Sequence, residues 1–162
     1  ALYDDIKKYV ARNDVFVCPN GIPAENESQP VHSLNQTTHI LFLSNMIASK
    51  GVWDLVDACD ILKKRGVPFW CDFVGKWGNI TEHDFNAMVA QKGLDDCVRA
   101  HGAKYGDDKN AFFEQADIFV FPTYYDNECF PIVLLEAMQH GLPCISTAEG
   151  GIRGIIDDGV TG

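Results

Sequence analysis

Five short, nearly unbroken apolar runs divide the chain from His39 onward, and this alternation constrains the fold more than any other feature. The runs are His39–Leu43, Phe69–Val74, Cys97–His101, Asp117–Phe121 and Cys144–Ser146. Helical spacing fills the gaps. Val52, Leu55, Val56, Cys59 and Leu62 share one helix face, and Gly66 with Pro68 stops that helix. Thr81 caps a second helix running to Lys92, with acidic Glu82 and Asp84 in its first turn. Asp107–Gln115 forms a third, and Pro131–His140 a fourth, closed by Gly141 and Pro143. Strands of four to six residues between helices of about ten are the pattern of βαβ units. Continuous rather than alternating apolar strands predict helices on both faces. The expected fold is therefore α/β, a three-layer Rossmann-like parallel sheet.

In such sheets ligands bind beyond the carboxyl ends of the strands. The residues there are Ser44–Asn45, Gly75–Lys76, Gly102–Ala103, Thr123–Glu128 and Thr147–Gly151. The region before His39 reads differently. Leu2, Ile6, Tyr9 and Val10 have helical spacing, Val15–Cys18 is strand-like, Pro19-Asn20-Gly21 is a turn, and Pro23–Thr38 is polar and aperiodic. The expected division is a segment and linker over 1–38 and one domain over 39–162. Gly159–Gly162 is turn-like, with no closing helix. The expectation is a piece of a longer protein, truncated at its C-terminus, with 1–38 the tail of a preceding domain.

Of the 162 residues, 13 are Lys or Arg and 23 are Asp or Glu, so the net charge is 13 − 23 = −10. That balance excludes sequence-independent nucleic-acid binding, which needs a basic surface. The only basic triple, Lys63-Lys64-Arg65, falls at a helix end, where cations suit the dipole. No apolar run approaches the ~18 residues of a membrane span, and the opening residues lack a signal-peptide pattern. Six cysteines without CxxC spacing read as small buried thiols in a reducing, cytoplasmic compartment. There the N-x-Ser/Thr sequences at Asn26, Asn35 and Asn79 carry no meaning.

Glu128 and Glu136 are the most informative side chains, eight positions apart across the start of the fourth helix. That helix start offers free N–H groups to an anion. Two carboxylates beside an anion site are compatible if the anion is a diphosphate and the carboxylates accept from neighbouring hydroxyls of a sugar or ribose. Spacing alone equally allows two surface charges. Lys50, after the first strand, can act as a point charge on phosphate or remain solvated. Gly150-Gly151 permits close backbone approach to a ligand or forms a simple turn. His101 lies in the crevice zone, where a packing role fits it better than catalysis. GxGxxG, GxxxxGK[ST] and GxSxG are all absent from the sequence, and no His/Cys/Asp cluster has metal spacing.

In order, the segments Phe42–Gly51 (FLSNMIASKG), Phe73-Val74-Gly75, Val98–Gly102 and Ala116-Asp117 with Pro122 lead to Glu128-Cys-Phe-Pro-Ile-Val-Leu-Leu-Glu136-Ala-Met, Gly141-Leu-Pro143, Gly150-Gly151-Ile152 and Asp158–Gly162. From about Asn20 to Gly162 this order resembles the C-terminal donor-binding domain of the retaining family 4 glycosyltransferases (glycosyl transferases group 1), which have the GT-B architecture. The E-x7-E motif carries the resemblance most specifically.

The resemblance implies transfer of a glycosyl group, with retention, from a nucleotide-diphosphate sugar to an acceptor hydroxyl, as in polysaccharide biosynthesis. It implies no metal and no other cofactor. Lys50 would contact the diphosphate, and the backbone amides of Phe130, Ile132 and Val133 would help hold it. Glu136 would accept from the ribose and Glu128 from the donor sugar. Ala103, Lys104 and Tyr105 would border the base. Glu128 and Lys50 are thus the implied catalytic residues. The acceptor, a sugar or lipid-linked glycan, would come through a preceding N-terminal domain, so the isolated piece would bind donor weakly and not catalyse.

Asn45 stands where family members often have a phosphate-binding arginine. An amide can donate a hydrogen bond but cannot offset charge, which leaves Lys76, Lys104 and Arg153 as candidate additional cations. Arg153-Gly154 also replaces the Pro-Glu that often follows the glycine pair. Two other readings remain, a non-catalytic nucleotide-sugar-binding module and a GT-B-type nucleotide-sugar epimerase.

Overall fold

The computed structural model of the chain describes residues 3–24 and 37–162. In chain order the elements are α1 (Tyr3–Ile6), β1 (Thr38–Leu43), α2 (Val52–Lys64), β2 (Phe69–Val74), α3 (Glu82–Gln91), β3 (Val98–Ala100), α4 (Gly106–Gln115), β4 (Ile118–Phe121), α5 (Ile132–Gln139) and β5 (Cys144–Ser146). Short 3₁₀ turns occur at Arg12–Asp14, Ala48–Lys50 and Ile152–Gly154. The five strands form one parallel sheet in the order β3-β2-β1-β4-β5. Leu41 on β1 pairs with Asp72 on one side and Phe119 on the other.

Right-handed crossovers send α2 and α3 to one face of this sheet, and α4 and α5 to the other. The aromatic contacts agree. Phe73 meets Phe85 of α3 edge-on at 5.0 Å, and Trp53 of α2 stacks on Phe85 at 6.3 Å. On the opposite face Phe119 packs against Phe113 of α4 at 6.0 Å. Phe42, Phe73, Phe85, Phe113, Phe119 and Phe121 are all fully buried, each stabilising the fold by ~2–3 kcal/mol relative to exposure. The strand order reverses between β1 and β4, the point at which such sheets bind ligands beyond the carboxyl ends of their strands.

The helix boundaries follow local chemistry. Thr81 Oγ1 accepts the Asp84 N–H at 3.1 Å and the Asp84 carboxylate accepts the Thr81 N–H at 3.3 Å, so α3 opens on a complete capping box. Lys63 and Lys64 occupy the last turn of α2, as its dipole favours. Pro131 is the N-cap of α5, one position earlier than a first helical residue.

The N-terminal region departs from expectation. Helix α1 spans four residues rather than reaching Arg12. Among the described residues Val15–Cys18 pairs with no strand, and Phe16 is 92% exposed, because an apolar run becomes a strand only where a partner and a face to bury exist. Most of the expected linker, residues 25–36 with Asn26 and Asn35, lies outside the described residues. Asn79 has a structural task, its Oδ1 accepting the Ala48 N–H at 2.9 Å. Cys59, Cys71 and Cys144 are buried as expected, but Cys18 and Cys129 are exposed. Among the described residues no helix is long and apolar enough to cross a membrane.

Candidate functional site

The loop leaving β1 and the loop leaving β4 meet at the point where strand order reverses. The Tyr124 N–H donates to the Ser49 carbonyl at 2.8 Å, tying the two loops by their backbones. Gly51, the N-cap of α2, makes this approach possible. Its φ is +83°, and a Cβ there would lie 2.2 Å from the Pro122 carbonyl oxygen. Any larger residue would push the loops apart.

This backbone contact brings Lys50 onto Glu128. Lys50 Nζ donates to Glu128 Oε2 at 2.6 Å, and the two side chains are only 13% and 8% exposed. The ammonium also lies 4.3 Å over the Tyr125 ring and 5.7 Å from the centre of Phe121, a favourable place for a partly desolvated cation. An enclosed pair of this kind persists only if its remaining hydrogen-bonding capacity is met. Thr123 supplies part of it, donating to Glu128 Oε2 at 3.2 Å with the Ser49 carbonyl at 3.4 Å sharing the same proton. Thr123 and Glu128 are the two buried polar residues among those described.

Glu136 lies farther along α5 and faces α4, where Lys109 Nζ donates to its Oε1 at 2.7 Å. This pair is more open, at 23% and 20% exposure. Between the two carboxylates lies the start of α5, which no side chain caps. The Leu134 N–H turns back to the Pro131 carbonyl at 3.1 Å. The Phe130, Ile132 and Val133 amides have no acceptor among the described residues, so free donors and the positive end of the dipole lie at the start of α5, just after Glu128. Lys50, Glu128 and the amides of Phe130, Ile132 and Val133 thus lie around the start of α5, with Glu136 further along that helix. This arrangement can hold an anion at the helix start and present a carboxylate on each side.

Asn45 is exposed in the loop after β1, Ala103 is exposed, and Lys104 is half-buried between β3 and α4. No ion pair joins Lys76, Lys104 or Arg153 to Glu128 or Glu136 among the described residues. Arg153 instead lines a cavity of about 570 Å³ at the end of β5, with Cys144, Ser146 and Asp157. Burial there pushes the Cys144 thiol up to about 11. The close approach permitted by Gly150-Gly151 is to the chain itself. A Cβ at Gly150 would fall 1.5 Å from the Glu128 carbonyl oxygen, and one at Gly151 1.9 Å from that of Cys129. The glycine pair thus braces the backbone that carries Glu128. His101 has a packing role, with Nε2 2.6 Å from Asp72 Oδ1 and its ring 4.7 Å from Phe112. Among the described residues no group of three His, Cys, Asp or Glu side chains could hold a metal ion.

Lys109 is a contact residue that sequence reading missed, while Thr123 and Tyr125 fall in the Thr123–Glu128 loop it named without being given roles of their own. Thr123 had one available signal, a hydroxyl at the first loop position after a crevice strand. Lys109 had none, since its partner is 27 positions away on another helix.

The family described as glycosyl transferases group 1 matches residues 23–162. The amylovoran biosynthesis glycosyltransferase AmsK of Erwinia amylovora is 33% identical over 134 residues, covering 80% of this chain and 32% of that protein. A D-inositol 3-phosphate glycosyltransferase of Arthrobacter sp. is 31% identical over 126 residues, covering 76% of this chain and 30% of that protein. The chain thus spans about a third of the length of these relatives. Among solved structures, the apo lipopolysaccharide outer core galactosyltransferase WaaB superposes with a TM-score of 0.79 at 20% identity, over 98% of this chain and 44% of that one. Anabaena Alr3699/HepE, solved in complex with UDP-glucose, superposes with a TM-score of 0.63 at 22% identity, over 78% of this chain and 34% of that one.

Proposed function

The chain belongs to the glycosyl transferases group 1 family, and from that premise we propose that it is the donor-binding domain of a glycosyltransferase. The protein carrying it transfers a sugar from a nucleoside diphosphate to an acceptor hydroxyl with retention. The observation that carries this reading is the enclosed Lys50–Glu128 pair at 2.6 Å, set beside the uncapped start of α5.

Each part has a physical role in the proposal. Lysine has three N–H donors, so Lys50 can keep Glu128 and still offer a proton to a phosphate oxygen. As the glycosidic bond to the diphosphate breaks, negative charge grows on the leaving group. Lys50 and the amides of Phe130, Ile132 and Val133 oppose it with donors already in place, which is electrostatic catalysis. Glu128 accepts from the donor sugar and Glu136 from the ribose. Ala103, Lys104 and the exposed Tyr105 border the base, and Asn45 gives a neutral donor near the phosphates. No metal and no further cofactor enter this proposal. The acceptor, a sugar or lipid-linked glycan, enters from a preceding domain, with residues 1–38 leading out of it, and the reaction takes place in the cytoplasm. That Alr3699/HepE was solved with UDP-glucose supports a nucleotide sugar as the ligand class.

A thermal-shift titration with UDP, GDP and ADP, each beside its sugar conjugate, tests the reading. Ligand at a hundredfold excess over Kd stabilises a protein by about 2.7 kcal/mol. The expected result is a base-selective shift that Lys50→Ala and Glu136→Ala abolish. No shift with any of these ligands at millimolar concentration, in the complete protein, would overturn it. Sugar transfer by that protein, against binding without turnover, separates the transferase from a binding module.

A further inference from the structure

We propose that Thr123 is a positioning residue for Glu128, its hydroxyl holding one carboxylate oxygen so that the other is free to accept from the donor sugar. The inference rests on the donor-site reading above and deepens it. Thr123 is fully buried, so it acts on a ligand only through a neighbour. That neighbour is Glu128, whose Oε2 receives both Lys50 Nζ at 2.6 Å and Thr123 Oγ1 at 3.2 Å. Among the described residues Oε1 has no donor. One oxygen is therefore fixed by protein groups and one is left for a ligand hydroxyl.

Thr123 is itself held from several sides. Its oxygen accepts the Tyr125 N–H at 3.2 Å, and its carbonyl accepts the Thr147 hydroxyl from the loop after β5. The adjacent Tyr124 N–H binds Ser49 at 2.8 Å in the loop after β1. Loops from three strands thus converge on this residue. The Thr123 proton lies between Glu128 and the Ser49 carbonyl, which is 3.4 Å away. A carboxylate oriented in this way accepts a strong, charge-assisted hydrogen bond. The role therefore concerns the sugar, not the diphosphate.

That distinction gives the test. In the complete protein that carries this chain, calorimetry would measure UDP against UDP-glucose, GDP against GDP-mannose and ADP against ADP-glucose, for the wild type, Thr123→Val and Thr123→Ser. Hydrogen bonds to charged groups are strong enough that removing the hydroxyl weakens the sugar conjugate about tenfold or more. The free nucleoside diphosphate should bind Thr123→Val as it binds the wild type, and Thr123→Ser should restore the conjugate. Equal loss of both ligands in Thr123→Val would mean a merely structural residue and overturn the inference. So would wild-type affinity for the conjugate in Thr123→Val, or failure of Thr123→Ser to rescue. A wild-type protein that binds none of the six ligands would overturn the donor-site reading, and this inference with it.

Discussion

Glu128 and Glu136 flank the same helix start and each is held by a lysine, yet their surroundings differ. Glu128 sits where loops from β1, β4 and β5 interlock. Its partner Lys50 is 78 positions away, Thr123 is fully buried, and Gly51 and Gly150 let backbone press on backbone. Glu136 lies between α4 and α5, joined to Lys109 by one bond and open to water. In the first region geometry is imposed by the chain path, so a small change in volume propagates. In the second it is set by two side chains that can rearrange. The first is suited to hold reacting atoms in place, the second to grip a flexible part of a ligand.

The largest expected effect breaks the enclosed side. Gly150→Ala adds a Cβ 1.5 Å from the Glu128 carbonyl oxygen at a φ of +50°. Left-handed strain of ~1–2 kcal/mol and overpacking of ~1–3 kcal/mol together predict a cost of about 4 kcal/mol. Gly66→Ala is the matched control, with a φ of +70° and nothing within 4 Å of its Cβ. It should show only the strain, ~1–2 kcal/mol. Urea midpoints of both variants measure the difference. Equal costs would mean that the glycine pair does not brace Glu128.

Next come the two lysines. Lys50→Met leaves the Glu128 carboxylate buried with only Thr123, and buried charges stripped of a partner are expensive. A loss of about 2–3 kcal/mol is expected, toward the low end because Thr123 remains. Lys109→Met breaks the less enclosed of the two pairs and should cost about 1 kcal/mol, less than Lys50→Met. The same urea measurement ranks them. If Lys109→Met proved the costlier, the contrast between the enclosed and open carboxylates would be reversed.

Legibility in the sequence followed the same division. All five sheet strands and the four helices between them could be read because each rests on a pattern within a few residues, such as the run Ile118–Phe121 or the Thr81 cap. Lys50, Glu128 and Glu136 could be picked out because strand ends and a helix start place them on one crevice. Val15–Cys18 misled because apolar composition carries no information about whether a partner strand exists. Lys109 stayed hidden because its role comes from a contact between two helices, and Thr123 was placed in the loop after β4 without a role of its own. The glycine pair allowed either a close approach to a ligand or a simple turn, and the space beside it is filled by the carbonyls of Glu128 and Cys129. Local spacing registers the need for a close approach but not what approaches.

The smallest effect sharpens the comparison from outside the site, at another helix start. Helix α3 opens on a capping box, whereas α5 opens with none. If the bare start of α5 is kept bare for an anion, then the cap on α3 serves stability alone. Thr81→Ala should cost about 1 kcal/mol and leave nucleotide binding untouched. The cap also carries a pH signature. The Thr81 hydroxyl and backbone amide hold the Asp84 carboxyl below its usual value of 3.8. A folded-state value below the unfolded one means that ionised Asp84 stabilises the fold above pH 3.8, and that this contribution fades as the pH falls through the folded value. Urea midpoints of wild type and Thr81→Ala should therefore differ more at pH 7 than at pH 3. The gap narrows without closing, because Thr81 Oγ1 still accepts the Asp84 N–H at low pH. A gap that stayed constant would mean that the carboxylate half of the box contributes nothing. A Thr81→Ala variant that lost nucleotide affinity would mean that the start of α3, not that of α5 alone, belongs to the site.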